Sequence, residues 1–246
     1  MGKLFVIGVG PGDPGLITVK AVKILKDVPC IIVPKGREEG SSLALSIVKK
    51  AVSIDGKEIV EAYFPMKRTA SAAEPAPGKH GLDKELDASW SATADDVIKR
   101  LERGTDAAFI TLGDPTLYST FFYLYDKLID KRPDIDIVIV PGVSSITAAA
   151  ARAGIRLGLG NERIAILPAN YLEAMEETLH RFDTVVLMKV NKVFDTVRGL
   201  LTDMNLAQHG VYIARAGMED EIMRKDIRTV KDEDLNYFSL VIVRKS

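Results

Sequence analysis

Three glycine-bearing stretches carry the residue types from which a small-molecule site can be built. They are Ile7-Gly8-Val9-Gly10-Pro11-Gly12-Asp13-Pro14, Leu112-Gly113-Asp114-Pro115-Thr116-Leu117-Tyr118-Ser119, and Val140-Pro141-Gly142-Val143-Ser144-Ser145. Each follows an apolar, β-rich run, and in open α/β sheets ligands bind outside the carboxyl ends of strands. Glycine allows positive φ and close backbone approach. The first stretch fails the dinucleotide spacing, because its glycines fall at 8, 10 and 12 and Asp13 stands where the third is needed. No Walker-type Gly-Lys-Ser/Thr occurs. Pro11 and Pro115 remove backbone donors where a phosphate cradle would use them. The chemistry left is that of a ligand without phosphates, held partly by backbone carbonyls and carboxylates.

Bulk properties narrow the partners. Lys and Arg number 33 against 34 Asp and Glu, a net charge of −1. No global field draws in nucleic acid or an anionic membrane, so neither is expected as a partner. The one cysteine, Cys30, excludes intrachain disulfides and Cys-rich metal centres, and His80, His180 and His209 are scattered, so no metal site is expected. No apolar run approaches the ~20 residues of a membrane span. The opening Met1–Gly12 breaks into glycines after a few apolar residues, unlike a signal peptide. The expectation is a soluble, cytoplasmic α/β protein whose 246 residues suffice for one large domain or two small ones.

The elements that position the loops follow from periodicity. Leu4 to Val9, Cys30 to Val33, Glu58 to Ala62 and Ala107 to Leu112 read as strands. Asp13 is predicted to cap a helix with Pro14 in its first turn and Ile17, Ala21, Ile24 and Leu25 in its inner stripe. Ser41 to Val52 reads as helical, and Thr93 with Asp96 predicts another helix start, ending at Gly104. Leu117, Phe121, Leu124 and Leu128 mark the next helix, then Ile135 to Val140 a strand and Ser144 to Ala153 a helix. Strands at Ile164 to Leu167 and Val185 to Val190 are each followed by helical spacing: Leu172, Met175 and Leu179, then Val193 to Met204. Val211 to Ala214 and Ser239 to Arg244 are strands with no clear helix between them. Continuous apolar strands separated by helices predict largely parallel sheets covered on both faces, with the second half mixed. The boundary is expected near Leu117, giving lobes of residues 1–116 and 117–246.

Taken in order and at this separation, the three stretches resemble the tetrapyrrole (corrin/porphyrin) methyltransferase family, the class III S-adenosylmethionine enzymes that lack a Rossmann fold. The resemblance covers essentially the whole chain. Within the family, "FITLGDPTLYSTFFYLYDKL" and "NYFSLVIVRK" look most like the C-20 methyltransferases that act on precorrin-2 or its cobalt-containing counterpart in cobalamin biosynthesis. The resemblance implies two α/β lobes with a trough between them, a homodimer, S-adenosyl-L-methionine as cofactor and S-adenosyl-L-homocysteine as product. It implies that Pro11 lies near the cofactor, that Leu112, Gly113 and Asp114 wrap its methionine portion, and that Leu117 is a neighbouring contact. Ser144 and Ser145 match the pair after Pro-Gly, Met188 a methionine beside the cofactor, and Ala216 a small residue whose backbone meets the adenine.

Each of these has a plainer reading. Gly113 permits a turn, Asp114 caps one, Ser144 and Ser145 are good N-caps, and Met188 is core. Methyl transfer from a sulfonium needs alignment rather than a protein nucleophile, and alignment supplies ~7–11 kcal/mol. Asp114 and Tyr118 are the catalytic candidates for removing a proton from the methylated carbon. A substrate fringed with carboxylates needs local cations, for which Lys35, Arg37, Lys67, Arg68, Arg152 and Arg156 are candidates. Pro65 to Gly81, with three prolines and no usable period, reads either as a lid over the site or as a surface insertion. Two alternatives stay open: another methyltransferase of the same family, and a non-catalytic metabolite-binding module.

Overall fold

A computed structural model gives the structure of residues 1–36, 42–64, 84–170 and 174–245. The chain divides into two compact units, Met1–Val143 and Ser144–Ser246.

The first unit is a five-stranded parallel sheet in the order β3-β2-β4-β1-β5. Its strands are β1 (Leu4–Gly8), β2 (Cys30–Lys35), β3 (Glu58–Tyr63), β4 (Ala107–Thr111) and β5 (Ile137–Val140). The helices are α1 (Val19–Asp27), α2 (Leu43–Ala51), α3 (Lys84–Glu102) and α4 (Phe121–Lys131). The chain winds one way from β1 to β3 and returns through β4 to β5. With right-handed crossovers, that reversal puts α1 and α2 on one face of the sheet and α3 and α4 on the other. The cores agree. Leu4, Val6, Cys30, Ile32 and Phe109 pack under α3 and α4, whereas Ile7, Ile31, Val33, Ala108 and Ile110 pack under α1 and α2. The alternation along each strand thus feeds two cores, and each fully buried Leu, Ile or Phe contributes about 1.5–3 kcal/mol.

Two helix starts differ from the sequence expectation. Asp13 accepts from the Gly15 N–H at 2.7 Å and caps only a single 3-10 turn, Pro14–Leu16. Thr18 then caps α1, accepting from Ala21 N–H. Thr93 lies inside α3, where its hydroxyl donates to the Ser89 carbonyl at 3.0 Å. The helix starts earlier because Leu86 and Trp90 are buried, Trp90 stacking on Phe64 with ring centroids 3.4 Å apart.

The second unit is a mixed sheet in the order β6-β7-β10-β8-β9. Here β6 (Ile164–Pro168) runs parallel to β7 (Thr184–Met188), and β10 (Ser239–Arg244) pairs antiparallel with both β7 and β8 (Gly210–Ala214). The sequence reading missed β9 (Ile222–Arg224), three residues that pair antiparallel with β8. Helices α5 (Ser145–Ala153), α6 (Met175–Arg181) and α7 (Phe194–Asp203) complete the unit. One core runs through Ala165, Leu187, Tyr212 and Val241.

The division falls at Val143/Ser144 rather than at 116/117. The cause is β5: it pairs in register with β1, Leu4 opposite Ile137 and Ile7 opposite Val140. A cut at 117 would strip an edge strand and α4 from the first sheet.

Candidate functional site

The parallel order brings the carboxyl ends of β1, β4 and β5 side by side, so the three glycine stretches meet at one edge of the first unit. They are knotted together through the backbone. Gly113 N–H donates to the Gly10 carbonyl at 2.8 Å, and Gly10 N–H returns a bond to the Gly113 carbonyl at 3.3 Å. Both glycines sit at positive φ, +81° at Gly10 and +72° at Gly113, which a residue with a side chain rarely adopts. Gly8 and Gly142 are present for a different reason. A Cβ on Gly142 would lie 2.3 Å from the Gly113 carbonyl oxygen, and one on Gly8 would lie 2.6 Å from the same atom.

Asp114 fastens the knot. Its Oδ2 accepts from Gly142 N–H at 2.9 Å, and its Oδ1 accepts from the N–H and the hydroxyl of Thr116 at 2.8 and 2.5 Å. Partial burial works to raise its pKa, but the Thr116 and Gly142 donors outweigh it and hold the carboxyl below the usual range. Asp114 is therefore a fixed anion with both oxygens engaged. That suits it to bracing the loop and facing a cation, and poorly to taking a proton.

Around the knot, Pro11 is buried, while Leu112 and Leu117 are half-buried. Leu117 lies in the loop ahead of α4 rather than on the helix, whose N-terminal Phe121 N–H is met by the Ser119 hydroxyl at 3.2 Å. Tyr118 is 44% exposed and holds φ +53°, an uncommon conformation for a tyrosine. Beside Gly113 the space is open: a Cβ there would meet nothing within 4 Å. An open, glycine-floored surface beside a buried-edge carboxylate fits a cationic ligand without phosphates.

Ser144 caps α5, accepting from the Thr147 N–H at 3.2 Å, and Ser145 opens that helix. In the second unit, β7 and β8 both run antiparallel to β10, so their carboxyl ends share an edge. That edge holds Met188, half-buried at the end of β7, and Ala216, 6% exposed after β8. The backbone beyond each strand turns through positive φ, at Lys189 (+59°) and Arg215 (+55°), and both turns bond to the β10 entry: Lys189 N–H to Ser239 O at 3.1 Å, Arg215 N–H to Phe238 O at 2.7 Å.

The expected substrate cations are scattered. Lys35, at the carboxyl end of β2, is paired with Glu61 at 3.0 Å. Arg152 bonds Glu221 at 2.9 Å. Arg156 reaches Glu162 at 3.9 Å, which Arg244 ties to Thr184 at the start of β7, the edge opposite Met188. Arg37, Lys67, Arg68 and the Pro65–Gly81 segment lie outside the described residues. Cys30 is no candidate nucleophile, since burial first, then Glu58, pushes its thiol up to about 11. Among the described residues no cluster of His, Cys, Asp or Glu could hold a metal ion, and no helix is long and apolar enough to cross a membrane. The sequence reading missed Gly8, Gly142, Thr116 and Glu221; the clustered glycines were visible, but which ones face backbone is a property of the assembled sheet.

A parallel α/β unit with a glycine-loop knot at its strand ends, followed by a mixed-sheet unit, defines a two-unit α/β protein with a site of small-molecule character. The family model described as Tetrapyrrole (Corrin/Porphyrin) Methylases matches residues 3–230, and the chain belongs to that family. It is 34% identical to the cobalt-precorrin-2 C(20)-methyltransferase of Salmonella typhimurium, over 99% of this chain and 97% of the relative. It is 36% identical to a probable cobalt-precorrin-2 C(20)-methyltransferase of Methanocaldococcus jannaschii, over 99% and 96%. The fold is shared with the uroporphyrin-III C-methyltransferase of Thermus thermophilus, solved as a complex with S-adenosyl homocysteine: TM-score 0.65, 17% identity, covering 99% of this chain and 98% of that one.

Proposed function

We propose that the protein transfers a methyl group from S-adenosylmethionine to C-20 of precorrin-2 or its cobalt-containing counterpart, a step of cobalamin biosynthesis. The observation that carries this reading is the near-full-length similarity to the two C(20)-methyltransferases. The sulfonium donor supplies an already activated methyl group. What the protein must add is alignment and exclusion of water, which is why no His/Asp or Cys/His constellation is needed.

In this reading the Gly10–Gly113 knot forms the floor for the methionine portion, and Gly113 keeps the approach open. The Asp114 carboxylate, held ionised by Thr116 and Gly142, faces the cationic part of the donor. Pro11, Leu112 and Leu117 supply apolar walls, the Ser144–Ser145 turn supplies polar contacts, and Met188 and the backbone at Ala216 take the adenine. Tyr118, exposed and held in a strained conformation, is the residue we assign to the acceptor, as an aromatic contact whose hydroxyl relays the departing proton to solvent. Lys35 grips a substrate carboxylate by exchanging Glu61 for it. The enzyme is read as a cytoplasmic homodimer with no nucleic-acid or membrane partner, and the near-balanced charge supports the first of those absences.

The test is incubation with methyl-labelled S-adenosylmethionine and precorrin-2, with and without cobalt, followed by the mass and position of the new methyl. Label at C-20 is expected. Label at another position would keep the family chemistry and overturn the site assignment on the macrocycle. Absence of any transfer, with S-adenosylhomocysteine also ignored, would favour the binding-module alternative.

A further inference from the structure

The turn that carries Ala216 is built on a carboxylate that no sequence motif pointed to. Glu221 has a side chain only 10% exposed. Its Oε2 accepts from Gly217 N–H at 2.8 Å, and its Oε1 accepts from Arg152 Nε at 2.9 Å. Arg152 sits in the last turn of α5, where a cation also complements the helix dipole. The turn itself is costly to hold. Arg215 has φ +55° and Gly217 φ +77°, on either side of Ala216. Two local bonds close it, Met218 N–H to Arg215 O at 2.9 Å and the ion pair of Arg215 with Asp220 at 2.6 Å. These bonds act within the turn; Glu221 alone among the contacts described joins it to a helix.

We propose that Glu221 is a positioning residue for the cofactor: it clasps the Arg215–Gly217 turn to α5 and so fixes the Ala216 backbone that meets the adenine. The inference rests on the methyltransferase reading. It assigns Arg152 to this clasp rather than to the substrate. A non-glycine residue at positive φ relaxes unless its surroundings over-determine it; the Phe238 carbonyl holds Arg215 N–H from the β10 side, and the Gly217 N–H bond to Glu221 holds the turn from the α5 side. Glu221→Ala leaves that donor without its partner, a loss expected to weaken S-adenosylhomocysteine binding about tenfold. Glu221→Gln keeps a carbonyl oxygen for Gly217 and loses only a half-exposed ion pair, so its affinity is expected within about threefold of wild type.

The experiment is calorimetric titration of S-adenosylhomocysteine into wild type, E221A, E221Q and R152A, with steady-state kinetics on the same proteins. The expected pattern is a raised dissociation constant and a raised KM for S-adenosylmethionine in E221A, an unchanged KM for tetrapyrrole, and rescue in E221Q. A merely structural role would lower the melting temperature while the folded protein bound cofactor normally, and that result overturns the clasp. Where E221A fails to fold, E221D, one methylene shorter and still charged, withdraws the carboxylate from Gly217, and wild-type affinity in it overturns the proposal equally. A wild type that ignores S-adenosylhomocysteine overturns the methyltransferase reading and this inference with it, whereas binding in wild type and undiminished binding in E221A overturns the clasp alone.

Discussion

Glycines that look alike in the sequence do different work at the loop knot, and substitution separates them. A methyl group on Gly142 must lie 2.3 Å from the Gly113 carbonyl, so backbone has to move. Gly142→Ala is expected to cost about 2–3 kcal/mol or more and to lower the melting temperature by roughly 5 °C or more. Gly113 needs its positive φ but has open space beside it. Asn tolerates that conformation, so Gly113→Asn is expected to melt within about 3 °C of wild type. Its side chain would stand where the ligand approaches and weaken S-adenosylhomocysteine binding at least about tenfold. Thermal melts and calorimetry on both variants check the pair; normal ligand affinity in a folded Gly113→Asn would remove Gly113 from the site. Asp114 carries a pH signature. Its carboxyl is held below its ordinary value, so its contribution is present above the unfolded pKa of about 3.9 and is lost as pH falls through the lower folded value. Melts from pH 6 to pH 3 are expected to show wild type more stable than Asp114→Asn at the upper end and the gap closing below about pH 4. The glycine and aspartate identities were legible in the sequence, because Gly-Asp-Pro after a strand limits what a loop can be. Their division of labour was not, since it depends on which backbone lies opposite.

At the level of the element, apolar period located nearly every helix and strand, and capping residues misplaced some of their ends. Thr93 was expected to begin a helix because Thr followed by Asp at the third position imitates a capping box. The buried Leu86 and Trp90 extend α3 past it, and the Thr93 hydroxyl turns back on Ser89 instead. Tertiary burial of one aromatic residue outweighs the modest energy of a cap. Ser144, by contrast, does cap, with its hydroxyl on Thr147 N–H. The two serve as controls for each other. Ser144→Ala is expected to cost about 1 kcal/mol, while Thr93→Ala is expected to be neutral or stabilising by a few tenths of a kcal/mol, since Ala has the higher helix propensity and no cap is lost. Urea unfolding of both variants measures the difference, and an equal loss in the two would mean that Thr93 does cap after all. The strand β9 escaped the sequence reading for a related reason: three residues flanked by charge carry too little period to register, and only pairing with β8 makes them a strand.

The whole molecule joins two units of different construction, one built on a parallel sheet and one on a mixed sheet. Of the residues assigned to the proposed cofactor, Gly113 and Asp114 belong to the first, Met188 and Ala216 to the second. The alternation of strand and helix revealed both units. The dividing point was hidden, because β5 follows a helix as any strand would, and only its pairing with β1 assigns it to the first sheet. A ligand that binds the native state alone stabilises it by mass action, about 2.7 kcal/mol at one hundred times its dissociation constant. Hydrogen exchange can locate that stabilisation. With S-adenosylhomocysteine at that concentration, amides of 111–118 and amides of 188–190 and 215–217 are expected to slow together. The amides near Glu162 and Arg244, at the opposite edge of the second sheet, are expected to change only as far as global unfolding is suppressed. Protection confined to the Gly-Asp-Pro loop would place the cofactor on the first unit alone and would withdraw Met188 and Ala216 from the site.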